Sequence, residues 1–369
     1  MKLWTAIFAL SLWTYTLEAK KPNFVFIFAD DLGYGDLACY GSKTIKTPNI
    51  DRMAKEGLKL NAFYAQTVCG PSRAALMTGS YPMRVATSKN TVMPHPRVHA
   101  DEITIAEVLK TAGYKSIAVG KWSIAGQGQR AAQIDATLLP TRQGFDRFFG
   151  TGGSNDSIVN LIRGVKTVEE KADMSQLSKR YTDEAIGFIK ENKDKPFFVY
   201  LAHTMPHVKL AASADFKGKS AAGLYGDVVE EIDFNLGRVL DTLKEEGLDD
   251  NTYLIFTSDN GPWFLGNSKS HLKRYGKNAE AHGGSADPLR GHKTSAWEGG
   301  FRVPFIVRAP GKVPAGSESD AVTGIVDILP TMAKLAAAEL PTDRVIDGRD
   351  LSPVPPSDVR FCLLRPPPC

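Results

Sequence analysis

Behind Asn23 the chain runs Phe-Val-Phe-Ile-Phe-Ala to position 29 without a polar side chain, then stops abruptly at Asp30-Asp31. Aromatic and β-branched residues in unbroken succession suit a central strand covered on both faces. Further strand-like runs follow at Ser116–Val119, Phe197–Ala202, Tyr253–Thr257 and Val303–Val307. Between them the period becomes helical. Thr47-Pro48 opens a helix that reaches about Glu56 and ends at Gly57, and Thr104–Thr111 reads as another, ended by Gly113. Val229, Ile232, Leu236, Val239 and Leu243 recur at helical spacing, which predicts a long amphipathic helix over Tyr225–Glu246, closed by Gly247. Asp327–Ala337 reads as a late helix. Strands alternating with helices predict an α/β fold: a large, mostly parallel sheet between helices, with ligand sites beyond the carboxyl ends of the strands.

Polar residues gather at those ends. Asp30 and Asp31 follow the first strand, and Ser258-Asp259-Asn260-Gly261 follow the Tyr253 strand. Three carboxylates and an amide suit a hard cation, Ca²⁺ ahead of a transition metal. Asp and Asn are also ordinary turn residues, so either pair alone leaves both readings open. Gly120-Lys121-Trp122 follows the Ser116 strand, and His203-Thr204-Met205-Pro206-His207 follows the Phe197 strand. No Cys or third His lies close enough in sequence to argue for zinc there.

One further motif carries chemistry: Cys69-Gly70-Pro71-Ser72-Arg73, followed by Ala74-Ala75-Leu76-Met77-Thr78-Gly79. Pro71 is tolerated in a first helical turn and the residues after it are good helix formers, so Cys69 is placed at a helix N-terminus. Free amides and the positive end of the helix dipole favour a thiolate or a bound anion there, with Arg73 one turn along. The pattern Cys-x-Pro-Ser-Arg before a small-residue helix resembles the signature of the type I sulfatases, members of the alkaline phosphatase superfamily.

The resemblance runs from Lys21 to about Pro353 and implies a set of roles. Cys69 is the residue oxidised to formylglycine by a formylglycine-generating enzyme, and Arg73 supports it. Asp30, Asp31, Asp259 and Asn260, with residue 69, hold one Ca²⁺. Lys121 contacts sulfate. His207 matches the second active-site histidine, on the leaving-group side, with His203 its neighbour. Arg290-Gly291-His292-Lys293 before Glu298-Gly299-Gly300 matches the segment whose lysine donates to the sulfate or the bridging oxygen, which is Lys293. At one position the chain departs from the pattern. Sulfatases usually continue Gly-Lys-Trp-His, and this chain has Ser123. The family's histidine serves as the base that breaks down the sulfated intermediate, and a serine lacks the pKa for that task.

Charge says little: 45 basic residues face 41 acidic ones, for a net charge of +4. That balance permits an anionic substrate, and with no basic run interleaved with aromatics it gives no argument for nucleic acid. Residues 1–19, a short positive start before a mostly apolar run, read as a secretory signal peptide too short to span a membrane, so an exported protein (periplasmic, secreted or lysosome-like) with no membrane attachment in its mature form is expected. Residues 20–353 then form one catalytic domain, large enough to bury about three quarters of its unfolded surface. The Pro-rich 354–369 shows neither strand nor helix period, so the family's small C-terminal antiparallel subdomain is expected to be missing or truncated. Of Cys39, Cys69, Cys362 and Cys369, conversion of Cys69 leaves an odd number, with Cys362 and Cys369 a possible pair. The polar stretch Trp263–Pro288 reads as a loop beside the site, a candidate substrate-selecting lid.

The resemblance implies a calcium-dependent hydrolase of sulfate monoesters acting on a sulfated small molecule or saccharide. Two alternatives stay open: a phosphate or phosphonate monoesterase of the same superfamily, and a secreted sulfate-binding pseudoenzyme, motivated by Ser123. A thiolate phosphatase fits poorly, since only Gly70, Pro71 and Ser72 separate Cys69 from Arg73.

Overall fold

The computed structural model describes residues 20–85, 98–126, 134–156, 158–264 and 282–352. The expectations for residues 1–19 and 354–369, Cys362 and Cys369 included, lie outside them, as does most of the loop before Pro288. The described strands are β1 (Asn23–Ala29), β2 (Leu58–Tyr64), β3 (Lys115–Lys121), β4 (Arg147–Thr151), β5 (Leu161–Arg163) and β6 (Lys166–Glu169). They continue with β7 (Phe197–Ala202), β8 (Thr252–Ser258), β9 (Arg302–Arg308), β10 (Ser317–Ser319) and β11 (Thr323–Gly324). The longer helices are α1 (Pro48–Lys55), α2 (Cys69–Thr78), α3 (Ile105–Thr111), α4 (Leu177–Glu191), α5 (Gly223–Glu245) and α6 (Ile328–Ala336).

All eleven strands share one sheet, in the order β10-β2-β9-β8-β1-β7-β3-β4-β5-β6 with β11 beside β2. β1 lies between β8 and β7 and is parallel to both. Every residue of β1 is buried, as its unbroken apolar run requires. Val25, Ile27 and Ala29 pack into one core layer with α1, α4 and α5. Phe24, Phe26 and Phe28 pack into the other with α2, α3 and α6. Each of those phenyl rings contributes about 1.5–3 kcal/mol of burial, which makes this face difficult to expose.

The anticipated elements form, with shifts of up to two residues at their ends. Thr104 caps α3 by accepting the Glu107 amide, and Glu107 returns the bond to the Thr104 amide. The late helix starts as a tight 3-10 turn at Ile325–Asp327 before α6. β2, β4, β5, β6 and α4 are additions that the apolar runs do not announce.

Two features of the topology place the site. β8, β1, β7, β3 and β4 are mutually parallel, so their carboxyl ends lie along one edge. β9 runs antiparallel to both β8 and β2. β2 therefore points the same way as β8 and delivers α2 to that edge, while the segment before β9 arrives there from the opposite direction. Among the described residues no helix is long and apolar enough to cross a membrane.

Candidate active site

Cys69 is the first residue of α2 and is buried, as are all ten residues of that helix. Ser72, one turn on, accepts the Gln66 amide at 2.8 Å and donates to the Asp259 carbonyl, which ties α2 to the end of β8. Gly79 ends the helix with φ of +65°, its amide bonded to the Ala75 carbonyl.

Asp30 and Asp31 follow β1, and Asp259 and Asn260 follow β8, all four side by side and buried. The Asp31 amide donates to Asp259 Oδ1 at 3.1 Å, and Asn260 Nδ2 donates to Asp31 Oδ1 at 2.7 Å. Ligand atoms of Asp30, Cys69 and Asp259 all lie within 4.8 Å of one another. Asp30 Oδ1, Asp31 Oδ2 and Asn260 Oδ1 are buried with no hydrogen-bond partner. Orphaned buried oxygens are costly, and two on carboxylates and one on an amide, at strand ends that also carry the carboxylate of Asp259, fit a hard, oxygen-seeking cation such as Ca²⁺. Burial and the Asp30 charge push the Asp259 pKa up against Arg73, Lys121 and Lys293. Burial also acts to raise Asp30, but Lys121, His207 and Arg73 together hold it below the ordinary carboxylate range.

Three buried cations surround these carboxylates. Arg73 donates from Nε and Nη2 to Asp259 Oδ2, at 3.2 and 2.7 Å, and from Nη1 to the Lys121 carbonyl at 2.7 Å and the Tyr200 hydroxyl at 3.2 Å. Its guanidinium is thus spent on protein acceptors and braces α2, β3, β7 and β8 together. Lys121, at the end of β3, donates to Asp30 Oδ2 at 2.6 Å, and Lys293 donates to Asp31 Oδ1 at 2.6 Å. Burial alone would lower both lysine pKa values, and the partner carboxylates raise them instead, so both stay charged. Gly120 before Lys121 has φ of +92°, and a Cβ there would meet the Ala202 carbonyl oxygen at 1.8 Å. Only glycine lets the lysine enter at that angle. Burial pushes the Cys69 thiol pKa up despite Lys121 and Lys293, which disfavours a free thiolate.

His207 sits with Nε2 3.6 Å from Asp31 Oδ2. Its Nδ1 faces the Val208 carbonyl, which can only accept, so Nδ1 carries the hydrogen and Nε2 faces the site. Burial lowers its pKa, only partly offset by Asp31. His203 is deeper, its pKa pushed down to about 4 by burial. Ser123 is buried beyond β3 with φ of +62°, its amide bonded to the Gly152 carbonyl at 3.1 Å. His292 is half-buried, donates from Nδ1 to the Lys293 carbonyl and stacks on Phe264 at 5.1 Å.

Several contributors were not legible beforehand. Tyr200 reads as one more aromatic in an apolar strand, and only its hydroxyl marks it. Asn155, after the unpredicted β4, donates to the His207 and Lys209 carbonyls at 2.8 and 3.0 Å and shapes that loop. Asp36 gathers the Gly33 and Ser285 amides and the Tyr225 hydroxyl, and burial raises its pKa to about 6. Trp263 lies under Lys293 Nζ, 4.8 Å from its ring centre, with the His207 ring 6.0 Å away.

The chain matches the sulfatase family model over residues 22–338. It is 35% identical to the steryl-sulfatase of Rattus norvegicus, across 95% of this chain and 74% of that protein. It is 36% identical to the arylsulfatase of Hemicentrotus pulcherrimus, across 90% of this chain and 62% of that one. The solved structure of Ps i-CgsB in complex with k-i-k-neocarrahexaose superposes with a TM-score of 0.75 at 32% identity, covering 90% of this chain and 76% of that one. With the strand-end carboxylates, the buried lysines and Cys69 on one edge of such a sheet, the chain belongs to the sulfatase family, the sulfuric ester hydrolases of the alkaline phosphatase superfamily.

Proposed function

We propose that this protein hydrolyses sulfate monoesters, aryl or carbohydrate, to the alcohol and inorganic sulfate, using formylglycine derived from Cys69 and one Ca²⁺ held by Asp30, Asp31, Asp259, Asn260 and residue 69. The observation that carries this reading is that Asp30 Oδ1, Asp31 Oδ2 and Asn260 Oδ1 are buried without hydrogen-bond partners at two adjacent strand ends, while ligand atoms of Asp30, Cys69 and Asp259 lie within 4.8 Å of one another and Lys121 and Lys293 bond to Asp30 and Asp31. The formylglycine hydrate supplies a hydroxyl nucleophile, and the cation supplies positive charge that the paired side chains alone do not leave over.

The chain's own residues do the rest. Lys121 and Lys293 each spend one N–H on a carboxylate, which leaves the other two ammonium hydrogens for sulfate oxygens. Held in a buried pocket, these donors stabilise charge without reorganising as the reaction proceeds. Arg73 acts as a positioning residue, fixing Asp259 and the end of β3. Lys293 is the donor available to the departing alcohol oxygen, and His207 Nε2, an acceptor while Nδ1 holds the hydrogen, joins it on the leaving-group side only when protonated. A saccharide substrate is supported by the bound neocarrahexaose of the solved relative. Export through residues 1–19 and maturation by a formylglycine-generating enzyme belong to the same proposal.

The test is production with a formylglycine-generating enzyme, followed by the mass of the Cys69 peptide and sulfate release from 4-nitrophenyl sulfate. Conversion of thiol to aldehyde, with turnover lost in Cys69→Ala, is the expected result. Turnover of 4-nitrophenyl phosphate at or above that of the sulfate would reassign the reaction. Ligand binding without turnover after confirmed maturation would make this a binding protein.

A further inference from the structure

A cavity of about 450 Å³ lies beside the reaction centre and plays no part in the chemistry described above. Its wall includes Thr67, two residues before Cys69, and Ala296, three residues after Lys293. The two segments are joined by the Thr294 amide, which donates to the Thr67 carbonyl at 2.9 Å. With Cα atoms about 3.8 Å apart along the chain, Thr67 cannot be more than about 8 Å from Cys69. One wall of the cavity therefore stands within about 8 Å of Cys69, measured between Cα atoms.

The lining combines aromatic faces with neutral polar groups. The Tyr64 and Phe301 rings stand 5.6 Å apart, and the Tyr64 hydroxyl is fixed by donation to Glu298 at 2.9 Å. Tyr81, 50% exposed, adds a third ring. Gln66 and Thr67 supply polar atoms, and Thr323 Oγ1 is buried without a hydrogen-bond partner. Asp327 is the one charged residue of the described lining, and its oxygens accept the Gly324 and Arg349 amides at 2.7 and 2.8 Å. Among the described lining residues none is a lysine or arginine that could receive a second sulfate.

We propose that this cavity is a subsite for an uncharged sugar unit adjoining the sulfated residue of an oligosaccharide. This rests on the hydrolase reading above and narrows it. Aromatic faces pack on the C–H faces of a pyranose while its hydroxyls bond to Gln66 and Thr67. A steroid nucleus would desolvate the same polar groups and give nothing back. A second sulfated unit would find no counter-charge among the described lining residues.

The experiment compares a monosulfated monosaccharide with a disaccharide carrying the same sulfated residue and a neutral neighbour. The matured wild type should prefer the disaccharide in kcat/KM by about tenfold, the value of one good hydrogen bond or ring contact. Tyr81→Ala, at an exposed position, and Gln66→Ala, at a half-buried one, should each erase most of that preference through KM. No preference in the wild type, or a preference intact in both variants, overturns the proposal. If confirmed formylglycine protein turns over no ester, the hydrolase reading fails by itself. Calorimetric titration with neutral disaccharides (lactose, cellobiose, N-acetyllactosamine) then decides: binding weakened in both variants sustains the subsite, and no binding of any overturns it.

Discussion

Asp30, Asp259, Arg73 and Lys121 have no exposed side-chain surface, and each is engaged by at least one of the others. By contrast, Phe264 and Trp297 are 60% and 51% exposed; Phe264 stacks on His292, and the Arg290 guanidinium sits 3.7 Å above the Trp297 ring. The floor is a closed set of charges whose members hold one another in place. The rim is a set of half-exposed or exposed rings, one of them covered by a guanidinium. Chemistry common to all sulfate esters belongs on the floor, where geometry cannot drift. Selection among alcohols belongs on the rim and in the adjoining cavity, where residues can change without unfolding the sheet.

The comparison predicts unequal costs. Arg73→Leu leaves Asp259 buried without its cation and releases the Lys121 carbonyl, so it should destabilise the protein by about 3–5 kcal/mol in urea unfolding. Trp297→Ala, at the rim, should cost within about 0.5 kcal/mol by the same measurement. Equal losses would break the distinction.

A smaller effect comes from filling the cradle. If Asp30 Oδ1, Asp31 Oδ2 and Asn260 Oδ1 face a cation, Ca²⁺ at a hundred times its Kd should stabilise the fold by about 2.7 kcal/mol, read as a rise in melting temperature against chelated protein. Mg²⁺, which holds its waters more tightly, should stabilise less. Asp31→Asn should abolish most of the Ca²⁺ shift. A melting temperature indifferent to Ca²⁺ would mean that the floor is complete as three paired cations and three carboxylates.

How far the sequence reveals this architecture follows from the same division. β1, β7 and β8 are legible because a strand buried on both faces has no polar interruptions, and α5 because one face of it is wet. β2, Leu-Lys-Leu-Asn-Ala-Phe-Tyr, is interrupted by Lys59 and Asn61 and lies toward the sheet's edge, so nothing local separates it from a loop. The strand-end carboxylates, Cys69, the two lysines and His207 were legible as residues. Their pairing was not: that Lys121 takes Asp30 and Lys293 takes Asp31 depends on strand order and on β9 running backwards, neither of which a local pattern encodes. The sugar-sized cavity was least legible, because its wall comes from four separate segments near positions 64, 81, 300 and 325.

Ser123 tests the boundary between the two regions. It is buried, next to the floor lysine through Trp122, yet it occupies the position where the family pattern has its basic histidine. Its φ of +62° is a conformation in which His is enriched several-fold among non-glycine residues, so the backbone already suits the replacement. Ser123→His should therefore speed turnover of 4-nitrophenyl sulfate by matured protein about tenfold, below the 10²–10⁴ of an optimally placed base because the surrounding side chains are packed around serine. The gain should appear in kcat and fall away at acid pH as the new imidazole protonates, at a cost of about 1–3 kcal/mol in unfolding stability for the larger side chain. A folded variant with an unaltered kcat would move position 123 from the chemistry to the rim, and the base for releasing sulfate would have to be sought at His292, whose Nε2 is left as the acceptor by the bond from Nδ1 to the Lys293 carbonyl.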